Sequence, residues 1–287
     1  MELYYWPPQL KWGLPTFDIN SLHVMSYIKF CKAPVSLFPV LKSLLNAKTR
    51  ELPCLVTTSG EMYSSPKEII NYLNLKFFNP DTWLNEEQRG NIIAMTSLIE
   101  EKLLPAVMSL LWLDNQNFTE VTRMVYAKSC RYPLNFSTPQ SLQHDVEKSI
   151  RISGNYPNED FDVICNKLFL NAVSTLNMFS EFLGDKHFLF GDRPSSLDAL
   201  LFSCLVIPLK LPLLNGKLKN YLKGCSKFSQ YTGRIMQIYF KEELKSKDSI
   251  LKEEDDPYKY DWIFPVVVTA LAMFSYAVNI KLITITR

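Results

Sequence analysis

Histidine is scarce: His23, His144 and His187 are the whole complement of the 287-residue chain. None stands at ligand spacing from a cysteine or another histidine, so no zinc site is expected. The six cysteines (Cys31, Cys54, Cys130, Cys165, Cys204, Cys225) contain no CxxC pair and sit mostly in apolar runs, as buried reduced thiols do. A net charge of only +2 creates no field suited to nucleic acid. Met1-Glu2-Leu3 opens no basic segment with an apolar core, nor an Arg-rich, acid-poor transit peptide. Internal repeats are also lacking. Residues 1–261 are therefore expected to stay in the cytosol.

Charge is missing from one long stretch, between Asp261 and Lys281. As a helix this run would reach roughly 28 Å, near the hydrocarbon thickness of a bilayer. Pro265 falls in the first turn, where its missing N–H breaks no internal bond, and Trp262 suits an interface. Trp262, Ile263, Phe264, Val266, Val267, Val268, Leu271, Met273, Phe274 and Ile280 then form a transmembrane tail anchor over 262–280, with 281–287 a short basic tail. A buried core helix is the plain alternative. Upstream, 241–261 mixes five lysines with eight acids and reads as a solvated linker or partly helical stalk.

The remainder is globular in composition, 47% hydrophobic and 21% charged, and its pattern changes near residue 80. Residues 2–6 read as a strand, and Pro7, Pro8, Gly13 and Pro15 make the next stretch a loop. Leu22, Met25, Ile28 and Phe30 predict a helix that Ser21 would cap. Residues 34–40, 52–57 and 61–63 read as strands, with 42–50 unassigned. Ser65 would cap a helix with Pro66 at its first position. The order β-α-β, then β-β-α, is that of a thioredoxin-like α/β domain over 1–78.

From Asn85 the pattern is helical. Asn85 with Gln88 makes a capping box ahead of Ile92, Met95, Ile99 and Leu103, up to Pro105. Helices over 119–130, 138–154 and 159–183 follow, the last closing at Gly184. Ser195 with Asp198 forms a second capping box opening 197–209, and 224–240 is the last helix of an all-α domain over 85–240.

Leu52-Pro53, Gly60-Glu61-Met62-Tyr63-Ser64-Ser65 ahead of a helix, and Phe190-Gly191-Asp192-Arg193-Pro194-Ser195-Ser196-Leu197-Asp198-Ala199 resemble glutathione transferases. The resemblance implies that fold, a cis Leu52-Pro53 bond, and vestigial glutathione-site positions at Leu52, Pro53, Ser64 and Ser65. Ser64 stands where the family carries an acidic or amide residue. Tyr5-Trp6-Pro7 resembles the strand end of transferases whose tyrosine hydroxyl hydrogen-bonds the glutathione thiolate. That makes Tyr5 the enzymatic candidate, against its plain reading as an aromatic strand residue.

A narrower set, Trp12-Gly13-Leu14-Pro15, Glu100-Glu101-Lys102-Leu103-Leu104-Pro105, Glu120-Val121-Thr122-Arg123, Pro133-Leu134-Asn135-Phe136 and Gly216-Lys217-Leu218, resembles the anchored metaxins. It implies a subunit without catalysis or cofactor in the sorting and assembly machinery of the mitochondrial outer membrane, supporting protein import and β-barrel insertion. Its implied partners are a second metaxin-like chain, a barrel-assembly core subunit and membrane lipid, with the body facing the cytosol. A membrane-tethered glutathione transferase and an outer-membrane tethering adaptor are the two alternatives. Other polar residues receive structural readings: Cys54 and Cys31 as core thiols, His23 as a surface or capping residue, and Asp198 as a cap. Glu100 and Glu101, adjacent on a helix, point to different faces and cannot act as a facing pair. Trp6, Trp12 and Leu110-Leu111-Trp112-Leu113 are expected in packing.

Overall fold

Alternation sets the first strand: in β1 (Glu2–Tyr5) Leu3 and Tyr5 are buried while Glu2 is exposed. The computed structural model describes residues 1–40, 51–130, 132–154, 156, 159–245 and 263–279. The unassigned stretch 42–50 lies outside them. β2 (Ser36–Pro39), β3 (Cys54–Val56) and β4 (Met62–Tyr63) complete a sheet of order β2-β1-β3-β4, with β1 and β2 parallel and the other pairs antiparallel.

α1 (Ile19–Cys31) starts two residues before Ser21, because Asp18 is the cap and accepts the Ser21 N–H at 2.7 Å. An aspartate placed this way satisfies an orphan donor and complements the helix dipole, which a first-turn serine cannot do. In α2 (Pro66–Leu75), Pro66 opens the helix and Ser65 takes the cap position, but the Ser65 hydroxyl makes no capping bond.

The Asn85–Gln88 box is present with both bonds, 2.8 and 3.1 Å, at the head of α3 (Glu86–Leu98). That helix runs on past the expected stop. A π-helical turn, Ile99–Leu103, lets the Leu104 N–H reach the Ile99 carbonyl and leads into α4 (Leu104–Trp112), with Pro105 in its first turn. A second π turn, Phe118–Thr122, joins α5 (Asn115–Asn117) to α6 (Arg123–Ser129), so the helix expected from 119 begins earlier. α7 (Leu134–Ser153) starts ahead of Thr138 and contains Pro139, which leaves the Asn135 carbonyl without its helical partner.

α8 (Phe161–Leu183) closes at Gly184, whose φ of 53° is left-handed. Next come α9 (Ser196–Lys210), α10 (Lys217–Gly224), α11 (Ser226–Tyr239) and α12 (Lys241–Lys245). The single helix expected over 224–240 is thus preceded by α10, where Leu218 and Leu222 are buried among lysines. α9 is buried from Leu197 through Pro208, as an element apolar on every side must be. α1 packs on one side of it and α10 and α11 on another. The β and helical halves share one hydrophobic cluster, and Met1–Leu244 forms one compact unit.

Lys245–Arg287 is the second unit. Its described helix, α13 (Ile263–Asn279), has 17 residues and leaves Val266, Val267, Val268, Leu271, Met273, Phe274 and Tyr276 exposed. Trp262, Ile280 and the basic tail fall outside the described residues. Among the described residues no helix is long and apolar enough to cross a membrane. At about 1.5 Å per residue, the 17 residues of α13 fall short of a bilayer core of about 30 Å.

Candidate functional site

β3 and β4 bring the expected thiol-site positions to one end of the sheet. The Leu52-Pro53 bond is cis. Pro53 and Cys54 are buried, and Leu52, Ser64 and Ser65 are half-buried. Ser64 hydrogen-bonds the Cys54 thiol, which burial pushes up. An unionised thiol is a poor nucleophile. Cys31 behaves alike, pushed up to about 11 by burial.

Tyr5 does not join that group. Its neighbour Tyr4 lies opposite Cys54 in the register, so the Tyr5 side chain points to the other face of the sheet. Tyr5 is 5% exposed. Burial first, and then the charge of Glu243, push its hydroxyl up to about 12. Glu243 itself pairs with Lys29 at 2.5 Å. The hydroxyl therefore keeps its proton and lies on the face opposite Cys54 and its partner Ser64.

The space between the loop after β1 and the helices is filled with rings. Tyr126 lies 4.9 Å from Trp6, 4.7 Å from Phe17 and 4.8 Å from Trp112 between centroids, and its hydroxyl donates to Asp18 at 2.9 Å. The cavity left among them holds about 10 Å³, room for one water at most. Trp6 and Trp112 are packed as expected, whereas Trp12 is half-buried beneath Lys11.

Asp198 is fully buried and is the most heavily bonded carboxylate described. Its Oδ2 accepts from the Ser195 N–H at 2.9 Å and hydroxyl at 2.7 Å; its Oδ1 accepts from the Leu189 N–H at 3.0 Å and the Tyr231 hydroxyl at 2.9 Å. Burial pushes the carboxyl up while these donors pull it down. Asp81 joins it at the head of α9, accepting from the Ser196 N–H and hydroxyl at 2.7 and 2.5 Å. No signal in the sequence marks Asp81, because its partner lies 115 residues away.

One open groove does occur, about 680 Å³ between α4, α8 and the loop before α10, within the size range of ligand sites. Leu110, Leu113, Phe161 and Phe169 line it with Asp114, Asp162 and Cys165. Burial raises the Cys165 thiol, and Ser109 bonds it. Asn117, completely buried, ties the loop down: its amide bonds the backbone of Leu110, Leu214 and Asn215. The sequence offered only scattered Asn and Asp codes for this. Glu100 and Glu101 are exposed, Glu100 reaching Lys67 at 3.8 Å. Among the described residues no group of three His, Cys, Asp or Glu could hold a metal ion.

His23 is half-buried on α1, not on the surface as expected, and burial pushes its imidazole down to about 4. The folded state therefore refuses a proton that the unfolded chain takes up near pH 6.5. Stability is complete above that value and is lost as the pH falls towards 4. His23→Gln is expected to remove about 2 kcal/mol of acid sensitivity across this window, discounted for the partial exposure. The measurement is urea unfolding of both proteins at pH 7 and pH 4.5; identical pH dependence would refute the assignment.

Comparison with known proteins agrees with this layout. Residues 21–143 match the family model of an outer mitochondrial membrane transport complex protein, Tom37, and residues 172–235 match a glutathione S-transferase C-terminal domain. Metaxin-1 of Macaca fascicularis is 34% identical over 100% of this chain and 92% of its own. Human metaxin-1 is also 34% identical over the whole chain, which spans 63% of that longer protein. Metaxin-3 of Xenopus laevis is 33% identical over 84% of this chain and 77% of its own. Among solved structures, β-etherase LigF from Sphingobium aligns at a TM-score of 0.55 with 14% identity, covering 85% of this chain and 98% of that one. Glutathione transferase GSTFuA2 from Phanerochaete chrysosporium gives 0.53, again at 14%, covering 83% and 97%. Identities this low speak for the fold alone, which is that of glutathione transferases.

Proposed function

The chain belongs to the metaxin family, and from that premise we propose that it is a subunit without catalysis in the outer-membrane sorting and assembly machinery of mitochondria. It supports protein import and β-barrel insertion by holding a rigid body at the membrane, beside a second metaxin-like chain and a barrel-assembly core subunit. Residues 262–280 span the bilayer and 241–261 form the stalk. All six cysteines are free, which suits a body facing the reducing cytosol.

The observation that carries the reading is a similarity reaching across the whole chain, the C-terminal apolar segment included. The geometry argues against transferase chemistry. A tyrosine that assists a glutathione thiolate must touch it, and Tyr5 is buried on the face of the sheet away from Cys54 and its partner Ser64. Fold alone does not transmit activity.

The test is cross-linking of the tagged full chain in intact mitochondria, with captured proteins identified by mass spectrometry. A second metaxin-like chain and a barrel-assembly subunit are expected. Recovery of neither overturns the proposal. So does glutathione-conjugating activity that Tyr5→Phe abolishes.

A further inference from the structure

From Ala199 to Lys241 the chain contains no aspartate or glutamate, yet it carries six lysines and an arginine. Five of those lysines fall on one corner of the fold: Lys210 at the end of α9, Lys217, Lys219 and Lys223 on α10, and Lys227 in the first turn of α11. All but Lys219 are exposed. α10 is only eight residues long, about 12 Å, so the charges stay close together.

Lys217 shares its groove with Asp114 and Asp162, but no carboxylate among the described residues comes within ion-pair distance of the five. Lys219 donates to the Leu211 carbonyl at 2.5 Å and Lys217 reaches only the Asn166 amide at 3.4 Å. Burial, followed by repulsion from Lys223, lowers the Lys219 ammonium. On the neighbouring α8, Asp162 and Glu181 pair with none of them. Asp114 accepts from Asn215 instead.

An exposed apolar side chain belongs to the same segment. Leu214, 62% exposed, lies between Lys210 and Lys217, while Leu211 and Leu213 turn inward. Its backbone is not loose. Buried Asn117 accepts the N–H groups of Leu214 and Asn215 at 2.8 and 3.1 Å and donates to the Asn215 carbonyl at 3.0 Å. A fixed, exposed leucine in a segment rich in lysines outside any ion pair suits an anionic bilayer, the apolar group entering the headgroup boundary.

We propose that this corner docks on an anionic lipid surface. A membrane is favoured over an acidic protein because the same chain carries α13, whose side chains from Val266 to Tyr276 are exposed and find cover in lipid. The inference rests on the membrane attachment proposed above only for bringing the bilayer within reach.

The test uses the full chain with vesicles of phosphatidylcholine alone or of phosphatidylcholine mixed with phosphatidylserine, and reads lysine acetylation by mass spectrometry. Each lysine near an anionic surface contributes roughly fivefold in binding. Acetylation of Lys217, Lys223 and Lys227 is therefore expected to fall about fivefold or more on the mixed vesicles at low salt. High salt should restore it, and Lys67, 79% exposed on α2, should not change. A Leu214→Ser, Lys223→Glu, Lys227→Glu variant with unchanged melting should lose the protection of Lys217. Equal acetylation on both vesicles, protection indifferent to salt, or protection appearing only with an added acidic protein each overturns the proposal. Protein that alkali strips from vesicles, yet that anionic lipid protects, leaves this corner standing and removes the anchor. Protein that resists alkali without protection does the reverse.

Discussion

Asp198→Ala is expected to cost about 4 kcal/mol of folding stability, among the largest losses a single substitution causes. The mechanism is not the lost bonds alone. Removing the carboxylate leaves the Ser195 and Leu189 N–H groups buried without an acceptor and the Tyr231 hydroxyl with only the residue 198 carbonyl, at 3.3 Å, and an unsatisfied buried donor costs about 1–3 kcal/mol. Urea unfolding should show the midpoint falling with little change in slope. Asp198→Asn keeps one acceptor oxygen and should lose about half as much. Asp81→Ala, at a half-buried site serving only Ser196, should lose about 1–2 kcal/mol. A cost below about 1 kcal/mol for Asp198→Ala would contradict the account of α9 as pinned at its head.

Deleting residues 262–287 is expected to move the protein from the alkali-resistant membrane pellet to the supernatant, more than tenfold in the ratio of the two. The expectation follows from the exposed Val266, Val267, Val268, Leu271, Met273 and Phe274, which lose no free energy in lipid. A finer version leaves the length intact. Val267→Lys with Leu271→Lys places two ammonium groups mid-helix, each costing about 2.5–3.5 kcal/mol on insertion, and should release the protein equally well. Retention of the truncated protein in the pellet would falsify the anchor.

Local signals in the sequence were reliable where one residue satisfies a nearby backbone group. Both capping boxes, Asn85 with Gln88 and Ser195 with Asp198, are in place, because their partners lie three residues apart. The cis bond before Pro53 also stands. Helix limits were less legible. Ser21 gave way to Asp18, since either can cap and only the packing of α1 decides. Pro105 read as a stop, yet a π turn carries the helix past it, and Pro139 read as a helix start, yet it lies inside α7.

The site was legible only in part. Residue types identified Tyr5, Ser64 and Ser65, but whether a strand side chain faces a cleft or a core depends on register and on what covers each face. Charge contributed there as well: Glu243, far along the chain, acts on Tyr5. His23 was read as a surface or capping residue because no Cys or Asp partner stands near it in the sequence, and that absence says nothing about burial. The aromatic cluster around Tyr126 and the loop held by Asn117 join residues about a hundred positions apart, beyond the reach of spacing arguments.

The complete burial of α9 has a consequence for how the protein is made. Synthesis is directional, and α1 leaves the ribosome long before the helix that covers it. At roughly 5–20 residues per second, the interval between residue 75 and residue 210 is on the order of ten seconds. Throughout it, the side of α1 that α9 will cover has no partner from its own chain. A newborn molecule is thus at its stickiest halfway through translation, which makes it a client for holding chaperones before it is a component of any membrane.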